Sequence, residues 1–232
     1  MKSYYPRFRV GASPGLVPKL GGLPWGLPTR LWPVCRECGR PMSHLAQLPA
    51  DAPALPLAHD EVLFIFKCEW DSVCSFWDAD GGANAVFTVS RQSLGSTPTA
   101  APPGEDADDS TPVLPELGLM RWIEADDGAL AELEDAFYDY DQHNKLPDDM
   151  AHPHDWDSAW RTKAGGVPYW TPNGAQGIPA IPAGRLLLQI DNEVTLEDGS
   201  SMEIANFCLD GTAYVFIDRT QTPPSYSMFI NR

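Results

Sequence analysis

Short apolar runs separated by turn residues dominate this chain. Val62 to Phe66, Ala85 to Val89, Leu186 to Ile190, Ala213 to Ile217 and Tyr226 to Ile230 are rich in β-branched and aromatic residues. Most are closely bounded by Gly, Pro, Asp or Asn, the pattern of short, half-buried strands. One stretch has another period. Between Asp127 and His143, Leu130, Leu133, Phe137 and Tyr140 recur at helical spacing while Glu132, Glu134, Asp135 and Asp139 fall on the remaining surface, which predicts a helix with one buried face. From Leu94 to Pro115 the apolar pattern gives way to Ser, Thr, Pro, Asp and Ala, so a long exposed loop is expected there.

Two segments resemble each other. Lys19-Leu20-Gly21-Gly22-Leu23-Pro24-Trp25 is followed by Leu45-Ala46-Gln47-Leu48, and Lys163-Ala164-Gly165-Gly166-Val167-Pro168-Tyr169-Trp170 by Leu188-Gln189-Ile190. The offsets are 144 from Gly21 to Gly165 and 142 from Gln47 to Gln189, nearly in register, as an internal duplication would leave them. A Gly pair suits a turn needing positive φ, Pro fixes its exit and the aromatic supplies an apolar anchor. Residues of this kind act mainly through the backbone and position a loop.

The 232 residues, 43% apolar and 10% aromatic, can fill a sizeable core, and the 23 prolines and 19 glycines spread along the chain imply many turns. The expectation is an α+β fold, a β-rich single domain of two divergent pseudo-repeats with few helices. The halves span about 1–93 and 158–232, joined by an acidic loop and helix region over 94–157. No apolar stretch approaches the ~20 residues of a membrane helix, and Met1 to Val10 lacks an apolar signal region. The chain is therefore expected in the cytoplasm, with no membrane partner.

Charge changes the picture most. The formal charge is −16, and from Glu105 to Asp157 there are 17 Asp and Glu against only Arg121 and Lys145. Nucleic acid and anionic lipid would be repelled by such a surface, whereas a basic protein would be attracted. The candidate partner-binding residues are Glu105, Asp106, Asp108, Asp109, Glu124, Asp126, Asp127, Glu134, Asp135, Asp139 and Asp155, with Trp122, Tyr138 and Trp156 as aromatic anchors. The charge run equally suits a solvated face, and the aromatics equally suit the core.

Five cysteines, an odd number without an export signal, argue against a disulfide framework. Cys35-Arg36-Glu37-Cys38-Gly39 has the spacing of one half of a zinc site, and Cys68 and Cys74 form a looser second pair. A structural zinc held by all four, or four buried free thiols, would account for them; no cofactor is required by any other feature. Cys208 reads as core. The chain has no GxSxG elbow, Walker loop, HExxH or GxGxxG fingerprint. His152-Pro153-His154-Asp155 reads as an exposed loop, and catalysis has no positive support.

KLGGLPW, WPVCRECGRPMSHLAQL, KAGGVPYW, LLLQID and FCLDGTAYVFI together resemble the bacterial YwqG-like family. The knuckle with Pro41-Met42 and the following LxQ strand is also similar to part of the eukaryotic programmed cell death protein 2 family. The likeness covers the first ~90 and last ~70 residues. It implies a duplicated β-rich core without established catalytic activity, in which Gly21, Gly22, Pro24, Gln47, Gly165, Gly166, Pro168, Gln189 and Gly211 determine the fold. Some members are similar to immunity proteins encoded beside polymorphic or type VI secreted toxins. The resemblance and the charge together lead to the expectation of a non-enzymatic immunity protein that neutralises a cognate basic toxin, a nuclease above all. Two alternatives stand beside it. One is an enzyme or small-ligand protein using a cleft between the repeats, lined by the GGxPxW loops, Gln47 and Gln189; the other is a zinc-stabilised adaptor or chaperone.

Overall fold

The computed structural model describes residues 1–11, 14–52, 55–70, 74–104, 110–152, 161–170, 184–208 and 210–231. Twelve strands lie among them: β1 (Lys2–Val10), β2 (Lys19–Leu20), β3 (Ser43–Pro49), β4 (Glu61–Lys67), β5 (Asn84–Ser90), β6 (Leu117–Asp126), β7 (Lys163–Gly165), β8 (Arg185–Asp191), β9 (Glu193–Thr195), β10 (Ser201–Glu203), β11 (Thr212–Asp218) and β12 (Ser225–Asn231). Ten form one antiparallel sheet in the order β12-β11-β8-β7-β1-β6-β2-β3-β4-β5, while β9 and β10 make a separate hairpin. The sheet curls until its two outer strands lie side by side, a nearly closed barrel. Among the described residues no helix is long and apolar enough to cross a membrane.

All five apolar runs lie within observed strands. Val62 to Phe66 and Ala213 to Ile217 are apolar throughout because both faces of β4 and β11 are covered. On β11, Ala213, Val215 and Ile217 enter the main core, while Tyr214 and Phe216 pack with Trp170, Leu186 and Phe229 on the other side. The main core draws Leu45, Phe64 and Ile65 from one arm of the sheet and Ile190, Val215 and Met228 from the other, so the two arms share one interior.

Two expectations need correction. The region 94–157 is more than a connection, because it contains β6, which pairs with β1 from Lys2↔Asp126 to Val10↔Leu117 and with β2 on its other edge. Only Leu117 and Gly118 of this strand are fully buried, so it lacks the apolar run that marks the others. The single helix expected over Asp127 to His143 is broken into a 3-10 segment, Ala131–Tyr138, and α1 (Tyr140–His143), with α2 (Asp148–Ala151) after it. Two competing hydrogen bonds explain the break. The buried Phe137 carbonyl accepts from Trp170 Nε1 at 2.9 Å, and Asp139 is extended, its carboxylate accepting from Gln142 N at 2.9 Å to cap α1. With helices this short, β-rich describes the fold and α+β fits it loosely.

The two diglycine turns carry matching sets of contacts. Trp25 N donates to Gln47 Oε1 at 2.6 Å and Tyr169 N to Gln189 Oε1 at 2.9 Å. Gln47 Nε2 donates to Val17 O at 2.9 Å and Gln189 Nε2 to Arg161 O at 2.7 Å. Gly22 and Gly166 have φ of +61° and +67°, and a Cβ on either would run into a carboxylate, that of Glu116 or Asp127. His44 sits under the first turn with Nδ1 at 3.0 Å from Gly21 O and 3.2 Å from Gly22 O. Burial, and then the Lys19 charge, push this imidazole down to about 3, so it serves as a neutral donor.

Each of those carboxylates is paired with a buried lysine. Lys19 Nζ lies 3.2 Å from Glu116 and Lys163 Nζ 3.0 Å from Asp127. Asp127 is the more enclosed, its side chain 1% exposed. It also accepts from the Met1 amine at 2.6 Å, Ser3 Oγ at 3.2 Å, Val167 N at 3.0 Å and Ala129 N at 3.2 Å. Burial alone would raise its pKa; Lys163, the amine and the Val167 amide outweigh that and hold it below the ordinary carboxylate value. Asp127→Asn strands the Lys163 charge and is expected to cost about 3–5 kcal/mol in urea unfolding. Asp126→Asn, one residue earlier on an exposed side chain, should leave the urea midpoint nearly unchanged; equal losses would refute this division of roles.

Candidate metal centre and acidic face

The four paired cysteines converge. Cys35, Cys38, Cys68 and Cys74 place their Sγ atoms within 4.8 Å of one another, with Cys38 and Cys68 3.6 Å apart. Cys35 and Cys38 are carried by a knuckle in which Gly39 N donates to Cys35 O at 3.0 Å and Cys35 N to Arg40 O at 2.9 Å. Gly39 takes the positive φ, +73°, that lets the chain turn back. Cys68 directly follows β4, and its amide is fixed by Ala83 O at 2.8 Å. Cys74 lies on the connection to β5, where the Ser75 amide donates to the Glu37 carboxylate at 3.0 and 3.1 Å.

The donor set fits a tetrahedral tetrathiolate ion. A zinc with Zn–S near 2.3 Å needs sulfurs about 3.8 Å apart, and all five cysteines are free of disulfides. Cys35, Cys68 and Cys74 are buried and Cys38 half-buried. Burial pushes the Cys68 thiol up to about 11 and raises Cys74 as well. Burial also opposes ionisation of Cys35, but the amides of Cys38 and Glu37 and the neighbouring thiols hold it below the ordinary value. Four thiolates fill a tetrahedron and leave no position for water, so the arrangement suits a structural ion and no hydrolytic chemistry. Lys67, 1% exposed, closes one side, donating to Cys68 O at 2.9 Å and Glu69 at 2.7 Å. Cys208, expected in the core, is half-buried and packs against it.

The acidic candidates separate into three groups. Glu105, Asp106, Asp108, Asp109, Asp155 and Trp156 lie outside the described residues, as do Pro153 and His154. Asp127 is withdrawn from any partner surface by the burial described above. Glu124, Asp126, Glu134, Asp135 and Asp139 remain accessible, each with a local partner. Lys2 meets Glu124 at 2.9 Å, the Met1 amine meets Asp126 at 2.7 Å and Arg185 meets Asp135 at 2.7 Å and Glu134 at 3.5 Å. Of the aromatic anchors, Trp122 is half-buried against the main core. The Tyr138 hydroxyl accepts from Leu186 N at 3.1 Å, and its ring lies under Arg185. Both are more structural than their spacing suggests.

Four other acids, Glu132, Asp141, Asp148 and Asp149, are exposed, and no salt bridge to a described residue satisfies them. They follow the end of β6 on the three short helical segments, interleaved with Leu130, Tyr140 and Met150, which are 46%, 51% and 39% exposed. The sequence signal was present in the alternation itself, which a long amphipathic helix would have turned inward. The proposed ligand cleft is not formed by its glutamines. Gln47 and Gln189 are each 0% exposed and spend their amides on backbone groups. No protein-family model matches the chain, and no curated protein matches it either.

Proposed function

We propose that this protein is a non-catalytic binding protein of the immunity type, which neutralises a cognate basic toxin, most simply a nuclease, through the face running from the end of β6 to α2. The observation that carries the reading is the mixture along that stretch: exposed carboxylates at Glu132, Asp141, Asp148 and Asp149, without a salt bridge to a described residue, among exposed Leu130, Tyr140 and Met150. Apolar and aromatic anchors supply burial while the surrounding charge steers a basic partner and opposes nucleic acid. The resemblance of the GGxP segments to the YwqG-like family supports the same reading. A tight complex would bury roughly 1,600 Å² in all. The test is co-expression with toxins encoded beside the gene, followed by binding kinetics with the one neutralised. Replacing Glu132, Asp141, Asp148 and Asp149 by their amides should slow association about tenfold or more at low salt and flatten its salt dependence. Unaltered kinetics would remove the patch from the mechanism.

We propose further that the four thiolates hold one zinc ion as a structural staple. The sulfur spacing, the knuckle turn and the burial of the donors support it. Purified protein is then expected to carry one zinc per chain, and cobalt exchange should give the intense visible bands of tetrahedral sulfur ligation. Cys38→Ser should weaken metal retention by a factor of ten or more; full-length protein that neither carries nor takes up zinc would end this proposal.

The scaffold itself we read as a duplication in which first strands have been exchanged. One copy runs β1-β2-β3-β4-β5 and the other β6-β7-β8-β11-β12, with β1 seated beside β7 and β6 beside β2. The matched Gln47 and Gln189 contacts support this. Gln47→Leu and Gln189→Leu should each orphan a buried amide and carbonyl and cost about 2–4 kcal/mol, and a large loss at one beside silence at the other, measured by urea denaturation, would count against equivalence.

A further inference from the structure

The outer strands of the sheet meet along a seam that has no hydrogen-bonded ladder among the described residues. Near its metal-centre end, three hydrogen bonds hold it. Asn84 Nδ2, at the start of β5, donates to Met228 O of β12 at 3.1 Å and to Phe76 O at 2.8 Å. Phe76 O also accepts from Ile230 N of β12 at 3.0 Å. The Phe76 carbonyl therefore stands in for the missing strand partner. Farther along, the Tyr226 phenol meets the Thr88 side chain.

The position of Phe76 depends on the cysteine cluster. It lies two residues beyond Cys74, and its amide donates to Cys74 O at 2.7 Å. Between them, the Ser75 amide is bonded to Glu37, inside the knuckle bounded by Cys35 and Cys38. The Phe76 ring lies 4.3 Å from the Lys67 ammonium, itself bonded to Cys68 O and Glu69. Glu69 in turn accepts from Asn206 N at 3.3 Å, in the connection between β10 and β11. Thus the segment 74–76 is fastened on one side by a metal-ligand side chain and a knuckle carboxylate, and on the other it fastens the last strand of the sheet.

We propose that the metal centre governs closure of the barrel: with the ion bound, segment 74–76 is fixed and β12 is latched to β5, and without it the Met228–Ile230 end of the seam opens while the central strands stay paired. This rests on the reading of the cysteines as a zinc site. Loss of the ion removes the bond that holds Cys74 in place, and the Phe76 carbonyl loses its fixed relation to Ile230. The β1–β6 pairing, in the middle of the sheet order, includes none of these residues.

The experiment is amide hydrogen exchange on the full chain in three states: zinc-loaded, stripped with a chelator, and re-supplied with zinc, metal content being measured in each. Exchange at Ile230 is expected to quicken by about tenfold or more on stripping and to recover with zinc, while amides of β1 and β6 change less than about twofold. Zinc-loaded Asn84→Ala should also quicken exchange at Ile230 with one zinc still bound. A chain that takes up no zinc overturns both this inference and the zinc reading. Stoichiometric zinc with unchanged Ile230 exchange, or with equal acceleration in every strand, overturns this inference alone.

Discussion

A buried ammonium must have a carboxylate beside it, and this requirement sets the two junctions around which the sheet is assembled. Lys19 with Glu116 fixes β2 against β6, and Lys163 with Asp127 fixes β7 near β1. Each pair sits against the second glycine of a diglycine turn, where only the missing side chain leaves room for the carboxylate. Asp127 gathers the first strand, the end of β6, β7 and the following turn at one charge. Removing either member would leave an uncompensated ion in a low-dielectric site, so each pair acts as a unit.

Much of this was legible in the sequence. Val62 to Phe66 and Ala213 to Ile217 announce strands because both faces of β4 and β11 are covered, which leaves no polar alternation to interpret. The GGxP segments and their glutamines announce matched turns because their function is carried by backbone groups, which demand particular residue types. The cysteine spacing announced a cluster for the same reason: bringing four sulfurs together constrains both the knuckle glycine and the cysteines themselves.

What escaped the sequence is equally physical. The middle of β6 exposes Met120, Arg121, Ile123 and Glu124, so a central strand carries the composition of an edge. The periodicity of Leu130, Leu133, Phe137 and Tyr140 satisfied a helix, yet a tertiary bond to the Phe137 carbonyl and a local cap from Gln142 N to the Asp139 carboxylate outcompeted a continuous ladder. Asp126 and Asp127 are adjacent and chemically identical, but the first stands in water and the second is enclosed. Charge counting cannot separate such neighbours, because burial is decided by strands far away in sequence.

The shared interior has a consequence for how the molecule can diversify. With Leu45, Phe64, Ile190 and Val215 meeting inside it, the barrel is solid, like other small barrels whose side chains fill the lumen. Novelty must therefore be written on its rim, where short helical turns can exchange residues without disturbing the plug beneath them. A scaffold built this way keeps one inner skeleton while its outer vocabulary changes.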